Sequence, residues 1–236
     1  MKRRVDLLVC LRCGHEPLER HGPLARCSDC GRAYPLRRPG LVDFLPQLED
    51  DERRTTRLIN PKHWWLKSRQ IYRSRLAPPD QQLHDIISHN CGGIILHLSC
   101  GSGSLLEELA RHPWRLRIGV DRKLSRLLRA HRLPGAGANL LLIRSSPYRI
   151  PVREKTIDTA LLQNPFVEFK DHQAAIYEIV RLLKPDGRLI CRVEAKQEDQ
   201  LRQTLSTAGF AYYRVGNWWV SRRIETQSED LTEHAL

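Results

Sequence analysis

The stretch Ile94-Ile95-Leu96-His97-Leu98-Ser99-Cys100-Gly101-Ser102-Gly103-Ser104-Leu105-Leu106 decides the fold. Five residues, four of them aliphatic, read as a buried strand, two glycines at i and i+2 as a tight turn, and the Leu-rich run after Ser104 as the opening of a helix. A strand that meets a helix through such a turn brings backbone amides to one point, where a ligand can approach closely.

Outward from this loop the chain alternates strand and helix patterns for about 130 residues, the signature of a parallel sheet covered on both faces. "IILHL" leads into "SLLEELARH", "RLRIGVD" into "RKLSRLLRAHRL", and "NLLLIRS" into a loop. Then "TIDTALLQ" precedes "DHQAAIYEIVRLLK", and "GRLICRVEA" precedes "QEDQLRQTLSTAG". The rhythm ends with "FAYYRV", the turn "GN" and "WWVSRRIE", which predict an antiparallel hairpin. Upstream, "DQQLHDIISHN" is expected to be an amphipathic helix stopped near Cys91-Gly92-Gly93. Lys184-Pro185-Asp186-Gly187 has the chemistry of a turn.

These segments, in this order, resemble a class I S-adenosylmethionine-dependent methyltransferase of the broad group that includes the quinone-biosynthesis methyltransferases. "HLSCGSGSLLEEL" stands at the family's first motif, "IGVDRKLSRLLRA" at its second, "IPVREKTIDTALLQN" at its fourth, and "AIYEIVRLLKPDGRLIC" leads into its fifth strand. The resemblance implies an α/β, Rossmann-like sheet that is mostly parallel with a terminal antiparallel hairpin, and S-adenosylmethionine as cofactor. It implies that Gly101 and Gly103 let the loop approach the cofactor and that Asp121, ending the second strand, accepts hydrogen bonds from both ribose hydroxyls. An ordinary helix cap is the other reading of Asp121.

The chain departs from the family at three cofactor-binding positions. His97 stands where an acid is usual, Ser99 where a glycine is usual, and Ser146 near the acid that binds the adenine amino group. A neutral His97 would bond the loop backbone, and Ser146 would meet adenine through its hydroxyl. Each lost carboxylate costs about 1 to 3 kcal/mol of cofactor binding. After the fourth strand, Asn164-Pro165-Phe166 resembles a shortened form of the Asn-Pro-Pro-aromatic loop of methyltransferases that modify exocyclic amines. There the Asn bonds the target nitrogen and the aromatic stacks on the base, which makes Asn164 and Phe166 the catalytic candidates. A generic strand-to-helix loop is the competing reading, and Asp158, at the start of the fourth strand, is read as structural.

Seven cysteines are present, and four form two matched pairs, Cys10/Cys13 in "CLRCGH" and Cys27/Cys30 in "CSDCGR". Each pair is C-x-x-C followed by glycine, the spacing that puts two thiolates on one side of a zinc ion. Four protein ligands leave no open position, so the metal would be structural. His15 is expected at the surface, and Cys100 and Cys191 in the core. With "AYPLRRPGLVDFLP" as closing strand, this segment resembles the zinc ribbons that precede some methyltransferase domains, including ribosomal RNA guanine methyltransferases. Such ribbons also occur as a separate activator subunit.

The expected organisation is a zinc ribbon over 1–46, a linker with a helix over 47–79, the methyltransferase domain over 80–224 and an acidic tail over 225–236. The helix, from about 63 to 76, interleaves Trp64, Trp65 and Tyr72 with Lys and Arg, which suits either stacking on nucleic acid or packing on the domain. The formal charge is +12. Residues 1–80 carry +7 and residues 81–224 carry +9, so the excess marks no single segment. It fits either an RNA partner or a compositional preference for arginine.

No apolar run approaches the roughly 18 to 20 residues of a membrane span, and "LLVCL" is too short for a signal-peptide core, so no membrane partner and a cytoplasmic location are expected. The reading is a methyltransferase acting on an RNA base or a small molecule. The alternative is a non-catalytic methyltransferase-like protein that serves as a zinc-stabilised nucleic-acid or protein binding or assembly factor.

Overall fold

The computed structural model describes residues 5–45, 80–88, 93–137 and 139–224. The helix expected at about 63–76, the stop at Cys91-Gly92 and the acidic tail lie outside the described residues. The elements are β1 (Glu19–His21), β2 (Leu24–Arg26), β3 (Ala33–Arg38), β4 (Leu41–Asp43), α1 (Gln81–Ser88), β5 (Ile94–Leu98), α2 (Ser104–Glu108), β6 (Leu116–Asp121), α3 (Leu124–Ala130), β7 (Leu140–Arg144) and β8 (Ile157–Gln163). They continue with α4 (Pro165–Glu168), α5 (His172–Leu182), β9 (Leu183–Arg192), α6 (Glu198–Thr207), β10 (Phe210–Val215) and β11 (Trp218–Arg223).

All eleven strands join in one sheet of order β1-β2-β3-β4-β7-β6-β5-β8-β9-β11-β10. Pairings from β4 through β7, β6, β5 and β8 to β9 are parallel, and β9, β11 and β10 are antiparallel. The chain therefore steps outward from β5 to β7, then crosses back to β8. The point of reversal lies between β5 and β8, where ligands bind in open α/β sheets.

Side-chain alternation on the buried strands feeds two cores. Ile94, Leu96 and Leu98 join Ile176 and Ile179 of α5 and Leu201 and Leu205 of α6 on one face. Ile95 joins Leu83 and Ile87 of α1, Leu105 and Leu106 of α2 and Leu127 of α3 on the other. Both faces are thus covered, which is why the central strands read as nearly unbroken apolar runs. Helix α5 starts where Asp171 accepts a hydrogen bond from the Ala174 amide at 2.9 Å.

The expected turn Lys184–Gly187 lies inside β9 as a bulge. Ile157 pairs with Leu183 and Thr159 with Arg188, so two steps on β8 face five on β9. Asp158 holds this irregularity, accepting from the Ile94 amide at 2.6 Å and from Lys184 Nζ at 2.5 Å. These contacts tie the bulge to the start of β5.

The amino-terminal segment docks twice on the rest of the chain. Strand β4 adds to the β7 edge, with Asp43 opposite Arg144. Leu7, Leu8 and Val9 run beside 151–153, through Val9 N–H to Pro151 O at 3.1 Å and Arg153 N–H to Leu7 O at 2.9 Å. Val5, Leu8, Leu18 and Tyr34 belong to the same core as the main sheet. Among the described residues no helix is long and apolar enough to cross a membrane.

Candidate active site

Strand β5 ends at Leu98, and the next five residues form the glycine loop. Gly101 and Gly103 both lie at positive φ, 57° and 86°, which the turn requires and glycine adopts without cost. Their surroundings differ. A Cβ at Gly103 would sit 2.6 Å from the Ala130 Cβ, so this glycine lets the loop pack against α3. A Cβ at Gly101 would meet nothing within 4 Å, so it borders open space beside the loop. Ser99 also has positive φ, 59°, the backbone for which glycine is the usual residue.

Asp121 ends β6 beside this loop and is buried. Its Oδ2 accepts from the Gly101 amide at 3.0 Å and its Oδ1 from the Lys123 amide at 2.8 Å, while the Arg126 guanidinium lies 3.5 Å away. The carboxylate thus ties the glycine loop to the turn that follows β6; the residue at the N-cap of α3 is Lys123. A carboxylate offers about four acceptor sites, so these amides leave capacity for two hydroxyl donors.

His97 stands on β5 in register with Gly119 of β6 and Leu161 of β8. It is 2% exposed, and neither ring nitrogen has a hydrogen-bond partner among the described residues. Burial pushes its pKa down to about 4, so the ring is neutral. The expected bond from His97 to the loop backbone is not formed.

Ser146 lies just past β7, and its hydroxyl accepts from the Tyr148 amide at 3.3 Å, stabilising its own turn. Ser145 beside it donates its amide to the Asp121 carbonyl at 3.3 Å.

Asn164 caps α4 in the left-handed conformation, φ 48°, and its carbonyl accepts from the Val167 and Glu168 amides. Phe166 is half-buried and meets the His172 ring edge-on at 4.7 Å. A contact not anticipated from sequence joins this loop to the glycine loop: Ser99 Oγ donates to Glu168 Oε2 at 3.4 Å. The structure therefore brings Ser99, Gly101, Asp121 and the Asn164–Glu168 loop to one end of the sheet.

Cys10, Cys13, Cys27 and Cys30 converge so that their sulfurs all lie within 4.8 Å of one another. Cys10 and Cys30 are 3.5 Å apart, as are Cys13 and Cys27. Four thiolates about 2.3 Å from one zinc ion would form a tetrahedron with edges of about 3.8 Å, so the quartet fits that ion. The two turns are built alike: Cys10 N–H bonds His15 O and Gly14 N–H bonds Cys10 O, just as Cys27 N–H bonds Arg32 O and Gly31 N–H bonds Cys27 O. His15 stays outside the quartet, with its ring on the Ser28 hydroxyl at 3.0 Å.

Burial opposes ionisation of Cys10, yet the Tyr34 hydroxyl, nearby amides and the Cys30 thiol outweigh it and bring its pKa to about 6. Cys13 moves up to about 12: the His15 amide favours its thiolate, but desolvation and the three neighbouring thiols outweigh that. Four thiols in this volume ionise together only around a cation. Cys100 and Cys191 are buried, and burial raises both thiols, so they are inert core residues.

The strand order, the glycine loop at the reversal point and the buried acid ending the neighbouring strand define a Rossmann-like fold of the class I methyltransferase type. Residues 96–191 match the family described as methyltransferase domain. A proposed S-adenosyl-L-methionine-dependent methyltransferase from Methanococcus maripaludis superposes with a TM-score of 0.58 at 14% identity, over 65% of this chain and 89% of that one. An S-adenosylmethionine-dependent methyltransferase from Aquifex aeolicus gives 0.54 at 19%, over 63% and 90%. The N-methyltransferase NodS from Bradyrhizobium japonicum, in complex with S-adenosyl-L-homocysteine, gives 0.51 at 15%, over 64% and 88%. At these identities the likeness is one of fold. No curated protein matches the chain. Residues 96–191 thus match a methyltransferase-domain family, the fold is that of class I S-adenosylmethionine-dependent methyltransferases, and the four-cysteine cluster fits a zinc ribbon.

Proposed function

We propose that the chain transfers a methyl group from S-adenosylmethionine to an RNA base or a small molecule, with residues 1–46 acting as a structural zinc ribbon. The observation that carries this reading is the buried Asp121 carboxylate bonded to the amide of Gly101, the glycine that borders open space.

In this reading Gly101 gives the cofactor room, Asp121 receives the ribose hydroxyls, and Ser146 lies toward the adenine. The cofactor supplies an electrophilic methyl on a sulfonium. The protein's part is positioning: Asn164 and Phe166 would orient an acceptor in line with that methyl, a task that needs no strong base. Cys10, Cys13, Cys27 and Cys30 would hold zinc, which supplies folding energy to a segment too small to form its own core. The basic charge favours RNA as the first acceptor to test. Binding carried by phosphate contacts falls steeply with salt, and salt-independent binding would reject the RNA version.

A non-catalytic binding or assembly role is the second reading. It is favoured by the unpartnered His97 where an acid is usual and by Ser99 held against Glu168 across the site. Calorimetric titration with S-adenosylmethionine and S-adenosylhomocysteine separates the two. Micromolar binding that Asp121→Ala abolishes supports the enzyme, whereas no binding at millimolar ligand supports the second reading.

A further inference from the structure

Three adjacent strands place Asp43, Arg144 and Asp121 side by side in register, one on each of β4, β7 and β6. Residues opposite one another on neighbouring strands point to the same face, so Arg144 stands between two acidic residues in this row. All three side chains are buried, with Asp43 at 0% and Arg144 at 1% exposure. Arg144 binds Asp43 at 3.3 Å through Nη1, and its Nε donates to the Arg122 carbonyl at 3.0 Å. Asp43 also accepts from Arg37 Nε at 3.0 Å and from the Leu45 amide at 2.9 Å.

We infer that Asp43, a residue of the amino-terminal ribbon, is a positioning residue for the cofactor loop and acts through Arg144 on the turn that carries Asp121. The turn Asp121-Arg122-Lys123 is held at two points, the Arg122 carbonyl by Arg144 and the Lys123 amide by Asp121 itself. The same carboxylate fixes the Gly101 amide. Asp43 draws Arg144 to the ribbon side of the row. Without that charge the guanidinium loses an anion that fixes its place, and its Nε bond to the Arg122 carbonyl loosens with it. The ribbon would thus act on the cofactor loop indirectly, from the side of the sheet remote from the acceptor loop.

The inference rests on the methyltransferase reading only for its consequence in cofactor affinity, and its structural part is testable without cofactor. Amide hydrogen exchange in the cofactor-free, full-length protein is expected to quicken by about tenfold at Gly101 and Lys123 in Asp43→Asn, while β8 and β9 amides stay within about twofold of the parent. Arg144→Lys keeps a charge for Asp43 but loses the Nε bond to Arg122, and is expected to quicken the Lys123 amide alike. If Asp43→Asn fails to fold, Arg144→Lys decides. Exchange at Gly101 and Lys123 that stays at the parental rate, or that rises only in step with β8 and β9, overturns the inference.

Titration with S-adenosylhomocysteine is the second readout. Asp43→Asn should bind about tenfold more weakly, and Arg144→Lys, which loses the Nε bond to Arg122, should weaken binding in the same direction. Parental affinity in both variants overturns the positioning role of Asp43. If the parent binds no S-adenosylhomocysteine, the methyltransferase reading fails and the exchange result still decides the role of Asp43.

Discussion

The Gly101 amide, at the centre of the glycine loop, donates to the Asp121 carboxylate, twenty residues on in the chain and one strand across the sheet, at 3.0 Å. One buried side chain thereby ties the loop to the end of β6, next to the glycine that borders open space. Asp121→Asn keeps the size but removes the charge and replaces one acceptor with a donor. The bond to a charged acceptor is worth about 1.5 to 3 kcal/mol, so S-adenosylhomocysteine should bind roughly 10- to 100-fold more weakly. Calorimetry at constant salt reads this directly, and parental affinity in the variant would mean Asp121 serves only to tie the loop to the turn that follows β6.

Ser99 occupies a glycine backbone position, φ 59°, and offsets part of that strain with one exposed hydrogen bond to Glu168 at 3.4 Å. A bond this long contributes little, whereas the left-handed backbone costs a non-glycine residue about 1 to 2 kcal/mol. Ser99→Gly is therefore expected to stabilise the protein by roughly 0.5 to 1 kcal/mol, about 1 to 4 °C in thermal midpoint for a chain of this size. Glu168→Gln tests the other half: near-parental stability is expected. A lower midpoint for Ser99→Gly would show that the contact between the loops outweighs the backbone strain.

The parallel sheet and its hairpin were legible because buried strands and amphipathic helices carry different periods, and the two C-x-x-C-Gly turns because zinc ligation fixes spacing. Asp121 was legible from its place at a strand end after a glycine loop. Asp43 and Arg144 were not, although "LVDF" and "LLLIRS" each show a lone charge in or at the end of an apolar run. Their meaning depends on β4 lying next to β7, a pairing about 100 residues apart that no local pattern encodes. The Ser99–Glu168 contact was hidden for the same reason. Lys184–Gly187 shows the converse, since turn chemistry was read correctly but the turn is folded into a strand as a bulge.

His97 gives acid sensitivity a defined sign. Burial lowers its pKa from 6.5 to about 4, so the folded protein resists protonating a ring that the unfolded chain protonates readily. Its contribution is fully present above about pH 6.5, falls as pH drops toward 4, and levels off below. The full span is about 3 kcal/mol. Urea unfolding of the parent at pH 7.5 and 4.5 should differ by more than that of His97→Leu, which also removes two buried nitrogens that lack partners among the described residues. Equal pH dependence in parent and variant would assign the acid sensitivity to other groups.

Metal removal should reach beyond the ribbon, because β4 covers the β7 edge. Leu140, Leu141, Leu142 and Ile143 are all buried, and Leu142 N–H bonds the Gly40 carbonyl at 2.7 Å. If the ribbon unfolds, this apolar strand becomes an open edge that pairs readily with another chain. Protein purified without added metal should contain one zinc per chain. Chelation, or Cys27→Ala, should lower stability by about 3 kcal/mol or more and drive self-association, measured by light scattering, before the far strands β9 to β11 unfold. Protein that loses its metal yet stays monodisperse, with unchanged hydrogen exchange along β7, would show that the ribbon edge holds without the ion.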